Sequence, residues 1–555
     1  MVRATFSGFN TALSALQANQ KRLDITGQNL SNMNTAGYTR QQLEASSLNY
    51  TNPVSHYSNG NETAVGFGVS MDRVSQIRDP YLDIQYRSQS ADCSYTNRLQ
   101  TALNSLSKVL DETTISGIRQ AFDDIQSTLT SMQDPAKVSD PIYESELRTK
   151  MQSVCNLFNQ ASRQITQAEQ NEFQRLTGEG SSEQGDVQKI NDILRQIGDL
   201  NVQIKRNQVA GHPSLELQDE RNLLLDELSG YIPVETRYYK DDAHSGNNAY
   251  DYDANGAVIG KKDWPDDLEV SMNYIDAQGK SQKLILVNGS DLGADGLTKN
   301  YGQLSMLKGD HQTAASVSDP ANISIKFEKA PSYQGNGQAA TDVYAELKGI
   351  HFEGGSLQAS LDMLQKKGTG NVINGSVDDV RGYQYYSEKL DQLADTFAKS
   401  MNASNNGNNH KDQNLLSNST DDSTNGITAG NIGISKGWTS GTIHISTDGT
   451  NRTDTILDMI AAMKDTKKLN GKTFADYMNN LSTQLASDSS SNQTALKTGT
   501  TVLNSIQDSR DSLSGVSLDE EATNMMAYVS AYNAASRLMT ALDEVLNTLI
   551  SNTGA

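Results

Sequence analysis

Ser517-Leu518-Asp519-Glu520-Glu521 opens the stretch that decides the fold, because the residues after it repeat. Leu518, Met525, Tyr532, Met539 and Leu546 recur every seven residues, and Val529, Leu542 and Leu549 fill the alternate positions of the same stripe. That spacing lines the apolar side chains along one seam of a long helix. The start is marked as well. Ser517 with Glu520 three positions on is a capping-box pattern, in which each side chain satisfies an orphan backbone N–H. Asp519, Glu520 and Glu521 suit the positive end of the helix dipole.

The amino end mirrors this. Phe9, Leu16, Leu23 and Leu30 also recur every seven residues, with Leu13 between them, and Asn34-Thr35-Ala36-Gly37 supplies a stop where glycine accepts the left-handed conformation. One such stripe is ordinarily a core face. Two at opposite ends of one chain point to a coiled-coil-like unit built from both termini. A helix with one narrow stripe does not recover its ordering entropy alone. The free chain is therefore expected to be ordered from about 79 to 514, with both ends ordering only in an assembly; pairing of the two ends with each other would weaken that expectation.

Between the ends the pattern changes twice. From Asp79 to about Tyr231 it stays helical, with Leu99, Leu103, Leu106 and Leu110, then Ile190, Ile193, Leu194, Ile197, Leu200 and Ile204 at bundle spacing. From Ile232 to about Phe352 it shifts to Gly, Asn, Asp and Tyr around β-rich runs such as Leu284-Ile285-Leu286-Val287 and Ile323-Ser324-Ile325-Lys326-Phe327. Helical spacing returns at Leu390, Leu393 and Phe397 and again after Thr455, across a Gly/Asn/Ser-rich tract from Asn402 to Gly449. The nine prolines all lie between Pro53 and Pro331, so nothing interrupts helices at either end.

The fold expected is mainly α with a β-rich insertion, elongated and multidomain. Residues 1–78 with 515–555 group as a domain of terminal helices, 79–231 with 376–514 as a helical-bundle domain, and 232–375 as a β-rich domain. A length of 555 residues fits three or four domains at about 150 residues each.

Composition narrows the function. Against 46 Lys plus Arg stand 67 Asp plus Glu, a formal net charge of −21 without a dense basic run, which argues against nucleic acid or an acidic membrane as partner. Apolar residues make up 36% and no apolar run approaches the roughly 18 residues of a membrane span. The amino terminus lacks the continuous apolar core of a cleaved secretory signal. Two cysteines, Cys93 and Cys155, are too few for a disulfide framework or a four-cysteine zinc site and read as small buried side chains.

Site motifs fail on inspection. Gly256-Ala257-Val258-Ile259-Gly260-Lys261-Lys262 has three residues between its glycines where a phosphate loop has four, and lacks the Ser or Thr for magnesium. Asp251-Tyr252-Asp253-Ala254-Asn255-Gly256 opens like a calcium loop, but Lys262 stands where the closing carboxylate belongs, so a turn is the better account. The seven histidines include no pair at metal-ligand helical spacing, and no nucleophile elbow occurs. No catalytic, cofactor-binding or metal-binding residue is assigned.

The segment Asn29-Leu30-Ser31-Asn32-Met33-Asn34-Thr35-Ala36-Gly37-Tyr38-Thr39-Arg40-Gln41 closely resembles the amino-terminal signature of the bacterial flagellar axial proteins, a family of rod, hook and hook-associated subunits. Val65-Gly66-Phe67-Gly68-Val69 with Arg73-Val74, Arg78-Asp79, Leu82, Gln85 and Arg87 looks like the family's next block. Ser514-Gly515-Val516-Ser517-Leu518-Asp519-Glu520-Glu521, leading to Ala531-Tyr532 and Asp543-Glu544-Val545-Leu546, resembles the hook-associated members more than the hook protein. Leu217 to Leu228 and Gly354-Gly355-Ser356-Leu357 are similar to internal stretches of those members, whereas 232–350 matches nothing in the family.

The resemblance implies a structural subunit, not an enzyme, exported by the flagellar type III apparatus without cleavage, with the terminal-helix domain as its inner layer, the bundle as its middle domain and the β-rich stretch as its outer domain. It implies self-association into a ring at the extracellular hook-filament junction, with hook protein and hook-associated protein 3 as neighbours. It also implies a cytoplasmic export chaperone on the carboxyl-terminal helix. The assembly interface is expected at Phe9, Leu13, Leu16, Leu23 and Leu30, at Asn34, Gly37 and Tyr38 of the signature, and at Leu518, Met525, Val529, Tyr532, Met539, Leu542, Leu546 and Leu549. A hook protein or flagellin is the near alternative; a secreted enzyme domain housed in 232–350 on a flagellar scaffold is the distant one.

Overall fold

The computed structural model describes residues 2–48, 68–110, 117–138, 140–210, 212–240, 250–252, 258–261, 266–275, 280–289, 299–309, 313–328, 333–334, 338–339, 351–373, 376–407, 412–446 and 453–553. The chain begins with α1 (Val2–Ser31), followed by the antiparallel strands β1 (Gln41–Ser47) and β2 (Val69–Gln76). A run of helices comes next: α2 (Pro80–Leu110), α3 (Ile118–Ser131), the single turn α4 (Pro135–Val138), α5 (Pro141–Thr177), α6 (Asp186–Val209) and α7 (Leu215–Tyr231). The β-rich stretch supplies β3 (Glu235–Lys240), β4 (Tyr250–Tyr252), β5 (Val258–Lys261), β6 (Asp266–Ile275), β7 (Ser281–Asn288), β8 (Gln303–Lys308), β9 (Ile323–Glu328), β10 (Tyr333–Gln334), β11 (Gln338–Ala339) and β12 (His351–Phe352). After it come α8 (Gly355–Gln365), β13 (Val372–Ile373), β14 (Ser376–Val377), α9 (Tyr383–Asn406), β15 (Leu416–Asn418) and β16 (Ile432–Ile434). The chain closes with α10 (Lys436–Ser440), α11 (Asp454–Lys464), α12 (Phe474–Ser514) and α13 (Leu518–Thr553).

Local chemistry sets the helix ends. At α5 the Asp140 carboxylate accepts the Ile142 N–H and Pro141 occupies the first turn, while Gly178, at φ 76°, closes the other end. At α12 Thr473 caps the Asp476 N–H, and without proline the helix runs 41 residues, about 60 Å.

The helical body is the core that the bundle spacing predicts. Leu99, Leu103, Leu106 and Leu110 of α2 and Ile190, Ile193, Leu194, Ile197, Leu200 and Ile204 of α6 are all buried. Phe122 of α3 meets Phe397 of α9 at 5.1 Å and Phe474 of α12 at 5.5 Å between ring centroids, so residues far apart in sequence share one aromatic cluster. Cys93 and Cys155 are free and buried, and burial pushes the Cys155 thiol up to about 12.

In the β-rich stretch β6 is the central strand, with β3 and β12 along one edge and β7 along the other. Paired side chains such as Val270 and Val287 put their apolar face into the same core as the helices. Buried asparagines fasten the strands to α6: Asn201 donates to the carbonyls of Leu268 and Gly289, and Asn191 bridges both backbone groups of Leu304. Helix α8, inside the 232–375 stretch assigned to the outer unit, packs against α2, α5, α7 and α9 of the body. Strands β4 and β5 pair as an antiparallel hairpin, which accounts for the flanks of the calcium-like and phosphate-like sequences. Residues 253–257 and 262 of those motifs, and Val65, Gly66 and Phe67 of the axial signature, lie outside the described residues.

Candidate assembly interface

Helices α1 and α13 pack together as an antiparallel pair, so each terminal helix finds its first partner within the chain. A Cβ on Gly8 would stand 3.4 Å from the Leu542 methyls, the Arg22 guanidinium lies 5.6 Å from the Tyr528 ring centroid, and the Asn29 amide donates to Glu521 at 3.4 Å. Positions 8, 22 and 29 thus meet 542, 528 and 521: every heptad up α1 is matched by one down α13. The buried seam is made mostly of small and polar groups, among them Ala12, Ala18, Asn19, Thr26 and Ala535, with Ile25 buried beside them.

Of the predicted stripes, Leu542 enters this seam against Gly8 and most of the rest lies beside it. On α1, Phe9, Leu16, Leu23 and Leu30 are half-buried and Leu13 is exposed. On α13, Met539, Leu542 and Leu546 are half-buried, whereas Leu518, Met525, Val529, Tyr532 and Leu549 remain exposed, Leu518 by 53% and Leu549 by 50%. Met526, Leu538, Val545 and Ile550 are exposed too, so the apolar surface of α13 spreads wider than one stripe. A heptad pattern scores one face and so passes over these four. It passes over the seam because Gly8, Ala12, Ala18, Asn29 and Ala535 are not large apolar residues, although several of them share heptad spacing.

At the base of the pair the two chain ends meet the body. Arg40 of the amino-terminal signature donates through Nε to Glu521 at 2.8 Å and through a terminal nitrogen to Glu520 at 2.7 Å, and its backbone N–H bonds the Ser514 carbonyl. Tyr38 donates to Asn29 Oδ1 at 2.9 Å, and the Gln41 N–H reaches the same oxygen at 3.0 Å. Asn34 and Gly37 lie exposed in the closing turn, where Gly37 takes φ 78° and packs on Leu223 of α7. Of the capping box the Ser517 half forms, the Glu520 nitrogen lying 3.5 Å from Ser517 Oγ, while the Glu520 carboxylate turns to Arg40, which engages Glu521 as well.

A polar network carries this clasp into the body. The Thr39 N–H donates to Asp219 Oδ2 at 3.1 Å, and Gln76 Nε2 to the Leu215 carbonyl at 3.0 Å. Arg510 of α12 pairs with Asp226 at 2.7 Å and Asp83 at 3.0 Å and lies over the Tyr86 ring, while Arg87 takes the other Asp226 oxygen at 2.8 Å. Burial pushes the Asp219 carboxyl up to about 6 against the pull of its Thr39 hydrogen bonds and of Arg78. Burial, with Asp219, Glu216 and Glu521 near, pushes Tyr38 up to about 12. Residues of four separate family-like stretches, around 29–41, 78–87, 217–228 and 514–521, therefore converge on one node beside a cleft of about 820 Å³. Among the described residues no group of three or more His, Cys, Asp or Glu is placed to hold a metal, and no helix is long and apolar enough to cross a membrane.

Comparison with known proteins agrees with this geometry at both ends and in the middle. Residues 9–39 match the family described as flagella basal body rod protein, and 509–552 the one described as flagellar basal body rod FlgEFG protein C-terminal. Those matches define a structural component of the flagellar axis. Residues 103–416 match the flagellar hook-associated protein FlgK helical domain, and the chain belongs to that FlgK family. The flagellar hook-associated protein 1 of Bacillus subtilis (strain 168) is 29% identical over 568 residues, covering 99% of each chain. Its namesake in Escherichia coli (strain K12) is 28% identical over 41% of this chain and 39% of its own. The solved flagellar hook junction protein FlgK from Burkholderia pseudomallei overlaps at a TM-score of 0.37 and 19% identity, covering 60% of this chain and 44% of that one.

Proposed function

We propose that the chain assembles into a ring at the hook tip and joins the hook to the filament, with hook protein on one side and hook-associated protein 3 on the other. The observation that carries this is the apolar surface left on α13 after α1 has covered its share: Leu518, Met525, Met526, Val529, Tyr532, Leu538, Val545, Leu549 and Ile550 all face outward. These side chains are already about half covered, so covering the rest of five or six of them returns about 4–9 kcal/mol, against an association cost of about 4–15 kcal/mol. One neighbour barely repays that cost, whereas a closed ring gives each subunit two.

In this reading 1–78 with 515–555 forms the inner layer, 79–231 with 376–514 the middle layer and 232–375 the outer one. The subunit leaves the cell uncleaved through the flagellar type III apparatus and acts outside it. Before export the bare α13 surface calls for a cytoplasmic chaperone that takes the helix in a groove.

The test is a Val529→Asp/Tyr532→Asp variant in cells lacking their own copy. A carboxylate in a dry contact finds no partner, so the variant should be exported yet spill into the medium without supporting filaments, while its urea unfolding stays unchanged. Normal filaments on the variant would sink the proposal. For the chaperone, truncation at Ser514 should abolish its capture.

A further inference from the structure

The helical body carries two opposite charge features that its own fold leaves unpaired. The first follows α11. Lys464, Lys467, Lys468 and Lys472 fall within nine residues containing the single acid Asp465. Lys464, Lys467 and Lys468 are exposed, and among the described residues none of the four lysines forms an ion pair; Lys468 reaches only the Ser400 hydroxyl, at 3.1 Å. In a chain of net charge −21 this is a local inversion of sign.

The second is a groove of about 410 Å³ between the first half of α2 and β3. Ile84, which is 55% exposed, and Val234 give it apolar surface, and Arg87 in its lining is buried and already paired with Asp226 at 2.8 Å. Asp92, Glu235 and Glu353 stand around it, and among the described residues none of these carboxylates pairs with a cation. Glu235 accepts only from the Asn273 amide, at 2.6 Å, and partial burial already lifts the Asp92 carboxyl above the usual aspartate range.

Within one chain the two features stay apart. The groove lies near residues 84–92 of α2, while the lysines immediately precede α12, whose Ser482 meets Leu110 at the far end of α2 at 3.3 Å. From Ser88 to Leu110 is about 33 Å of helix. A complementary pair of patches that cannot meet in one molecule makes a head-to-tail contact between copies, and such contacts form a ring when the rotation from copy to copy closes.

We infer that the lysines at 464–472 of one subunit dock in the α2–β3 groove of the next, a second contact between copies of this chain separate from the terminal helices. The groove suits lysine: four methylenes lie along Ile84 and Val234 while the ammonium meets the carboxylates. Singly these exposed pairs contribute little. Repeated at every joint of a ring, and set by charge order, they fix which face of one subunit meets which face of the next.

The inference rests on the proposed ring, and a charge exchange separates the two. Lys467→Glu/Lys468→Glu (patch variant) and Asp92→Lys/Glu353→Lys (groove variant) are expressed singly and combined in one chain, in cells lacking their own copy, with filament number, chain released into the medium and the thermal unfolding of each purified variant as readouts. Each variant alone should fold like the wild type, be exported, and leave at least tenfold fewer filaments. Combined in one chain, the four substitutions should restore filaments, because every acidic patch then meets a basic groove whatever the number of subunits in the ring. Wild-type filament numbers in either single variant would overturn the inference, and so would failure of the combined variant to rescue, retention of the variants inside the cell, or unfolding of either variant. If the wild-type chain itself fails to restore filaments, the proposed ring falls, and this contact with it.

Discussion

Arg40 and Glu521 stand 481 positions apart in the chain and 2.8 Å apart in space. Each belongs to a stretch that resembles the axial signature at its own end, and neither stretch alone explains its charges. Glu521 is 2% exposed at the first turn of α13, where among the described residues its side chain is answered by Arg40 and the Asn29 amide. The bridge turns two terminal helices into one unit seated on the body.

Removing Arg40 therefore strands a buried carboxylate. Breaking a buried pair costs about 3–5 kcal/mol; Arg40 is 19% exposed, so the lower end applies. Arg40→Ala should speed amide exchange across α1 and the first turns of α13 by about a hundredfold, at about tenfold per 1.4 kcal/mol, and leave α5 and α9 unaffected. Exchange that rises equally in all four helices would show the clasp to be part of the global core.

The pH dependence of the joint follows from Asp219. Its carboxyl, at about 6 in the folded chain, sits near 3.9 unfolded. A raised folded value means that the native state binds more protons between these pH values, so stability is full below about pH 4 and falls as pH rises through about 6. Two units correspond to at most about 3 kcal/mol. Asp219→Asn keeps an acceptor for the Thr39 N–H and removes the titration. Its urea midpoint should match the wild type at pH 4 and exceed it at pH 7; a difference independent of pH would count against burial of this carboxyl as the cause.

Much of the architecture was legible because large apolar side chains carry it. The spacing of Leu99 to Leu110 and of Ile190 to Ile204 gave the bundle faces, and the heptads at both ends gave the terminal helices. What the sequence concealed was held by small or polar residues. Gly8, Ala12 and Ala535 make a seam by letting backbones approach, which no hydrophobic pattern scores. The tract from Asn402 to Gly449 reads as a polar spacer, yet it holds β15, β16 and the fully buried Trp438, because its asparagines replace backbone partners. Pairings such as Arg40 with Glu521 depend on how the ends come together, which local spacing does not encode.

That tract yields a test. Asn402 accepts the N–H groups of Leu415 and Leu416, both at 2.9 Å, and donates to the Leu416 carbonyl at 2.7 Å. Asn402→Ala leaves all three groups buried without partners, at about 1–3 kcal/mol each before relaxation. A loss of at least about 3 kcal/mol in urea unfolding is expected, against less than about 0.5 kcal/mol for exposed Asn479→Ala. Equal losses would mean that solvent reaches the Leu415 and Leu416 amides.

The seam of the terminal pair gives the last prediction. Gly8 lies within α1, where glycine costs about 0.8–1.0 kcal/mol relative to alanine. A Cβ there would meet the Leu542 methyls at 3.4 Å, a contact distance and not a clash. Gly8→Ala should therefore add helix propensity and a methyl contact together. Gly8→Leu would force the helices apart, because the larger side chain must occupy the space that Leu542 fills. Since the helices hold each other, the two changes should act on both at once. Trypsin cleavage after Arg22 and after Arg537 should slow together in the alanine variant and quicken together in the leucine variant, with the body fragment unchanged. Cleavage that changes at Arg22 alone would show that α13 keeps its order without α1, and that the pair is a contact of two independently stable helices.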